Sequence, residues 1–136
     1  MQLTPYLFFN GKCEEAIEFY KGTLGATVEM MMRFSDNPDK PNPECMPADT
    51  SKIMHASWRV GDAVMMGSDG MTSGPTDFKG FSLALSVGSE AEARTKFEAL
   101  ATGGQVHQPL VKTFFSPAFG MLQDKFGVGW MVMATA

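Results

Sequence analysis

From Lys52 to Asp69 the chain reads K-I-M-H-A-S-W-R-V-G-D-A-V-M-M-G-S-D, two apolar-rich runs on either side of Gly61-Asp62. A two-residue turn containing glycine between such runs is a strong hairpin signal. The hairpin fixes which side chains share a face. With Val60 paired to Ala63, alternation sets Arg59, Ser57 and His55 opposite Val64, Met66 and Ser68. One face of this hairpin therefore carries a histidine, an arginine and two serines, and any fold proposed for the chain has to put that face somewhere.

The remaining segments supply its neighbours. Residues 3–10, L-T-P-Y-L-F-F-N, read as a strand with Pro5 near its start, where a missing N–H does least harm. Residues 13–24 place Ala16, Ile17, Tyr20 and Leu24 at helical spacing, with Glu14 and Glu15 in the first turn, and Gly25 as a stop. Residues 26–34 form a second strand. From Ser35 to Ser51 the chain holds four prolines and no periodicity, so it reads as a long loop of the kind that serves as a lid or stays disordered. After the hairpin and a second loop at 70–79, residues 80–87 alternate Phe81, Leu83, Leu85 and Val87 with Ser82, Ala84 and Ser86, the pattern of a strand with one buried face. A helix capped by Ser89 runs to Ala101 and ends at Gly103-Gly104. Strands follow at 105–110, 119–123 and 128–134. The order strand, helix, three strands occurs twice, and shifting the first half by 77 places brings Ala16 onto Ala93 and Tyr20 onto Phe97.

At 136 residues, 44% of them hydrophobic, the chain suits one domain (1–136) built of two modules, 1–69 and 70–136. A net charge of −4 and no Lys/Arg cluster argue against nucleic acid as a partner. No run is long enough to span a bilayer and the N-terminus lacks a signal pattern, so a soluble cytoplasmic protein is expected. Cys13 and Cys45 lack metal-site spacing and read as free thiols. Twelve methionines are many for this length. Core filling, or an adaptable binding surface, accounts for them.

Three segments carry a resemblance: P-Y-L-F-F-N-G-K-C-E-E-A-I-E-F-Y at 5–20, I-M-H-A-S-W-R-V-G-D-A-V-M-M-G-S-D at 53–69, and G-M-L-Q-D-K-F-G-V-G-W-M at 120–131. Together with the repeated βαβββ order they look like the PhnB-like group of the vicinal oxygen chelate superfamily, which includes glyoxalase I, extradiol dioxygenases, and fosfomycin and bleomycin resistance proteins. The resemblance implies an α+β fold in which two βαβββ modules form a cupped mixed β-sheet with helices outside. It also implies a small-molecule ligand and a homodimer. Metal-dependent members carry His, Glu or Gln on the first and fourth strand of each module, and those positions fall here on Pro5, Met66, Ser82 and Met131. None is an ordinary ligand for a hard divalent cation, so no metal or other cofactor is expected, although a divalent metal stays open with the enzyme reading below.

Two functions from different classes follow. The first is a metal-free binding protein, similar in logic to bleomycin resistance proteins, with a crevice lined by Phe9, His55, Ser57, Arg59, Met66, Ser68, Ser82, Met131 and Met133 and closed by the 35–51 loop. The second is a lyase, isomerase or dioxygenase-type enzyme with an atypical site that includes His55, the one candidate catalytic residue. His55 reads either as a pocket histidine able to move a proton near neutral pH or as a strand-end histidine bonded to a loop. Arg59 reads as an anion contact or, because it flanks a turn, as a solvated side chain. Cys13 suits a passive helix start, His107 a surface position, Asp124 the turn before the last strand, and Trp58 and Trp130 the core. Some PhnB-like proteins carry methyltransferase labels, but no Gly-rich nucleotide loop follows a strand here, which argues against that reading.

Overall fold

The computed structural model describes residues 1–37, 49–70 and 76–135. They divide into two units, Met1–Thr76 and Asp77–Ala136. Each is a βαβββ module with its own four-stranded mixed sheet, as the repeated element order predicts.

In the first unit the elements are β1 (Tyr6–Phe8), α1 (Cys13–Leu24), β2 (Thr27–Arg33), β3 (Ile53–Val60) and β4 (Ala63–Ser68). The sheet order is β1-β4-β3-β2, with β1 parallel to β4 and the other pairs antiparallel. The helix buries Ala16, Ile17, Tyr20 and Leu24, the positions picked out by helical spacing, and Gly25 closes it in the left-handed conformation (φ 67°). That stripe meets the sheet at Trp58, which is fully buried and stacks on Tyr20 with ring centroids 6.3 Å apart. The contact is close enough to exclude a side chain on the neighbouring strand. A Cβ at Gly67 would lie 2.9 Å from both the Leu7 carbonyl oxygen and Trp58 Cη2.

Hairpin register follows the sequence reading: Val60 pairs with Ala63, Arg59 with Val64 and Ser57 with Met66. The β2–β3 register was not legible, because it contains two irregularities. Val28 pairs with Trp58 but Met30 with Ser57, and Met32 pairs with His55 but Arg33 with Ile53. Glu29 and Met54 are the extra residues, and each resets which neighbours share a face. As a result Ile53, Ala56 and Trp58 all lie in the core, while His55 and Ser57 lie on the opposite, open face with Met32 and Met30.

Arg33, paired with Ile53, reaches the helix side. Its Nη2 and Nη1 donate to the two carboxylate oxygens of Glu14 at 2.6 and 3.1 Å, and Nη1 also donates to the Ser51 carbonyl at 2.8 Å. The Arg33 hydrogen bond holds the Glu14 carboxyl below its ordinary range. A carboxyl depressed in the folded state contributes stability that is present above its unfolded pKa and is lost as pH falls through its folded pKa. Arg33→Gln is therefore expected to cost a small amount of stability at pH 7 and nothing measurable in strong acid, as read by urea unfolding at the two pH values. The pair is half-exposed, which keeps the effect modest.

The second unit comprises β5 (Leu83–Val87), α2 (Glu90–Ala101), β6 (Gln105–Val111), β7 (Phe119–Gln123) and β8 (Gly129–Ala134), in sheet order β5-β8-β7-β6. Ser89 caps α2 by accepting from the Glu92 N–H at 3.1 Å, and Ala93, Phe97 and Leu100 form its buried stripe. Phe97 sits directly on β7, where a Cβ at Gly120 would come within 2.6 Å of its ring. Leu83 and Leu85 pair with Trp130 and Val132, and Ala84 and Ser86 with Met131 and Met133, so the alternation read from 83–87 holds.

Three local expectations change. The first strand is Tyr6–Phe8 rather than 3–10: the ladder with β4 covers those three residues, with one further backbone bond at each end from Pro5 and Phe9, and Leu3 is 99% exposed. The fifth begins at Leu83 rather than at Gly80, whose φ of 84° belongs to a turn, and Phe81 ahead of it is 50% exposed instead of buried. Residues 34–36 form a short 3₁₀ turn that takes the last residue of the expected strand 26–34 and the first two of the expected 35–51 loop. The rest of that proposed lid, 38–48 with Cys45, lies outside the described residues.

Candidate functional site

The open face of the first sheet is built from alternation. In β1, Leu7 and the following Phe9 are buried on the helix side, which turns Tyr6 and Phe8 to the other side. Tyr6 is paired with Met66 and Phe8 with Ser68. On β3, Ser57 lies between Met66 of β4 and Met30 of β2, and His55 lies opposite Met32. The Tyr6 hydroxyl reaches across β4 to hydrogen bond with His55 Nδ1 at 3.0 Å, and the two rings run nearly parallel (28°) with centroids 5.5 Å apart. Phe8 extends the aromatic patch, its ring centroid 5.0 Å from that of Tyr6.

This arrangement has a definite chemistry. With the phenol donating, Nδ1 accepts and the proton of a neutral imidazole resides on Nε2, which is then a donor for a ligand. Around it stand three thioethers and two aromatic rings. No carboxylate occupies the paired positions Met30, Met32, His55, Ser57, Met66, Ser68, Tyr6 or Phe8.

The start of β3, two residues before His55, is anchored by a residue that sequence reasoning passed over. The buried carboxylate of Asp69, just beyond β4, accepts from the Gly11 and Cys13 N–H groups at 2.7 and 2.9 Å and from the Ile53 N–H at 2.9 Å. One side chain thus ties the turn before α1 to the first residue of β3. Nothing in the residue string marks Asp69 apart from any other turn aspartate.

Of the residues expected to line a crevice, His55, Ser57 and Met66 come together on this face. Phe9 is a correction: it is 2% exposed and packs 6.5 Å from Trp58, because the one-residue register of the short β1 turns Tyr6 and Phe8 outward in its place. Ser68 is also buried, and its Oγ accepts from the Gly70 N–H at 3.3 Å. Arg59 donates from Nε to Glu29 at 2.6 Å, the residue that the bulge displaces, at the hairpin end of the sheet. In the second unit Met131 and Met133 do share an open face, joined by Met121 and Phe119, their partners on β7. Ser82 precedes β5 and is exposed. Tyr6, Phe8, Met30 and Met32 were missed. The register of β1 on β4 decides the first two and the bulge at Glu29 the others, so local alternation alone does not find them.

Asp124 makes its turn, accepting from the Phe126 and Val128 N–H groups, and also from Trp130 Nε1 at 2.9 Å. His107 is exposed, 3.4 Å from Gln123 Oε1. Cys13 is fully buried at the start of α1, and burial first, then the charges of Asp69 and Glu14, pushes its thiol well above the usual range. It is expected to resist iodoacetamide in the native protein and to react once the chain is unfolded in urea, as peptide mass spectrometry would show.

The positions that the resemblance gives to metal ligands carry no ordinary side-chain donor for a hard divalent cation. Pro5 contributes only backbone, its carbonyl accepting from the Met66 N–H at 3.0 Å. The side chains paired on the open faces are Tyr6 with Met66 and Ala84 with Met131. Among the described residues no three His, Cys, Asp or Glu side chains converge.

Two four-stranded βαβββ sheets of this kind define the glyoxalase/bleomycin resistance/dioxygenase fold. A domain of that description from Frankia sp. superimposes with a TM-score of 0.66 at 16% identity, over 100% of this chain and 93% of its own. The family model for 3-demethylubiquinone-9 3-methyltransferase matches residues 1–133, and the chain belongs to that PhnB-like family. Protein YjdN of Escherichia coli (strain K12) is 36% identical over 97% of this chain and 94% of its own length. The crystal structure of PA1353 from Pseudomonas aeruginosa has a TM-score of 0.86 at 46% identity, covering 98% of this chain and 97% of that one. A PhnB protein from Bacillus cereus gives 0.82 at 29% identity, covering 98% and 99%. No described helix is long and apolar enough to cross a membrane.

Proposed function

We propose that the chain is a metal-free small-molecule binding protein whose ligand lies on the open face of the first sheet, over Ser57, between Met30, Met32 and Met66 and against the Tyr6–His55 pair. The observation that carries this reading is the makeup of that face: thioethers and aromatic rings around one imidazole, with the nearest carboxylate of β2, Glu29, held by Arg59 at the hairpin end. Met131 and Met133, with Met121, offer a second apolar face of the same character. The family description speaks of methyl transfer, but a Gly-rich loop between a strand and a helix for a nucleotide-bearing methyl donor is not part of this sequence.

Elemental analysis and native mass spectrometry of the purified protein test the proposal. A chain without stoichiometric divalent metal, carrying or accepting one small organic molecule, agrees with it; one tightly held divalent cation per chain contradicts it. The same spectra would show whether the chain is the homodimer that the family resemblance implies, and fractionation whether it is cytoplasmic.

A second reading, an enzyme of lyase, isomerase or dioxygenase type, draws on the Tyr6–His55 bond, which leaves Nε2 positioned to give or take a proton. His55→Ala would then abolish turnover with the fold intact. Turnover unaltered by His55→Ala would remove this reading.

A further inference from the structure

Six of the twelve methionines occupy the open faces, three on each sheet: Met30, Met32 and Met66, and Met121, Met131 and Met133. Methionine is flexible and polarizable, which suits an apolar ligand, but its thioether is also a two-electron reductant. Those on the first sheet lie around the His55 imidazole and the Ser57 hydroxyl. Met30 lies on the edge strand β2 and is 41% exposed. Met65, next to Met66 on β4, faces the core and is 5% exposed. The one cysteine among the described residues, Cys13, is fully buried with its thiol pushed up, so it cannot be the first sulfur in that unit to meet an oxidant.

We propose that Met30, Met32 and Met66 form a reversible oxidation site, at which a hydroperoxide converts the thioethers to sulfoxides and thereby releases whatever apolar molecule the face holds. In each step a sulfur lone pair attacks the outer peroxide oxygen and the O–O bond breaks. The sulfur is oxidised by two electrons to S=O, and the proton of the transferred oxygen passes to the leaving alkoxide, so that the hydroperoxide is reduced to the alcohol. Each sulfoxide replaces an apolar surface by a strong dipole beside Ser57 and His55. The face that accepted an apolar ligand then prefers water. Release, as distinct from oxidation, rests on the binding reading above.

Limiting tert-butyl hydroperoxide, peptide mass spectrometry and fluorescence titration with the neutral aromatic probe N-phenyl-1-naphthylamine test this together. The expected result is oxidation of Met30 ahead of Met32 and Met66 while Met65 remains unmodified. Probe affinity should fall by about tenfold in step and return after treatment with the two stereospecific methionine sulfoxide reductases. Oxidation of Met65 as fast as Met30, or unchanged probe affinity once the three open-face methionines are oxidised, would overturn the proposal while leaving the binding reading in place. Reduced protein that fails to bind the probe at all overturns the binding reading, and the release with it.

Discussion

Asp69→Ala lowers the stability of the chain by about 3–5 kcal/mol. The carboxylate accepts three backbone N–H bonds at 2.7 to 2.9 Å, from Gly11, Cys13 and Ile53. Alanine offers nothing in their place. Donors at the start of α1 and of β3 would then be left without a partner in a region too buried for easy solvation, and each such donor costs on the order of 1–3 kcal/mol. Asp69→Asn keeps one accepting oxygen and should lose less. Urea unfolding followed by tryptophan fluorescence checks both, since Trp58 packs in the core that β3 enters. A loss below about 1 kcal/mol for the alanine variant would show that the carboxylate is not the tie described. Because the same bond sets where β3 begins, the variant should also weaken ligand binding at His55, two residues further along.

Gly104→Ala is expected to be comparably severe, for a steric reason. A Cβ at that position would run into the Gln123 carbonyl oxygen and lie 2.8 and 2.9 Å from the carbonyl carbon and Cα of Asp124. All three are backbone atoms, in the turn that Asp124 ties to Trp130, so they cannot step aside as a side-chain end could. The cost is about 3 kcal/mol or more. Gly22→Ala provides the contrast. It lies inside α1 with open space around the added methyl, and alanine should stabilise that helix by about 0.5–1 kcal/mol. Thermal melts of the two variants should therefore shift in opposite directions. A Gly104→Ala protein as stable as the parent would contradict the close approach.

Whatever depended on local periodicity was legible from the residues. Both helices, the stops at Gly25 and Gly103-Gly104, the Val60–Ala63 turn and the alternation of Leu83, Leu85 and Val87 with Ala84 and Ser86 all follow from spacing, and the repeated order of elements gave the fold class. Whatever depended on pairing between distant strands was not. Phe9 looks as fit for a pocket as Phe8, and only the parallel register of β1 on β4 decides that Phe8 faces outward. Met30, Met31 and Met32 form an unbroken apolar run, and the bulge at Glu29 assigns Met31 to the helix side and its two neighbours to the site. Arg59 looked available until that bulge brought Glu29 to it. Asp69 carries no local signal at all, because its three donors come from positions 16 to 58 residues away.

The central claim, a soft apolar binding face around His55, is tested most directly by NMR of methionine methyl groups during titration with N-phenyl-1-naphthylamine. The account predicts that the Met30, Met32 and Met66 methyl resonances move with one saturation curve, together with the His55 ring protons, while Met65 stays fixed. Saturable binding that leaves those three resonances and His55 unmoved would contradict it.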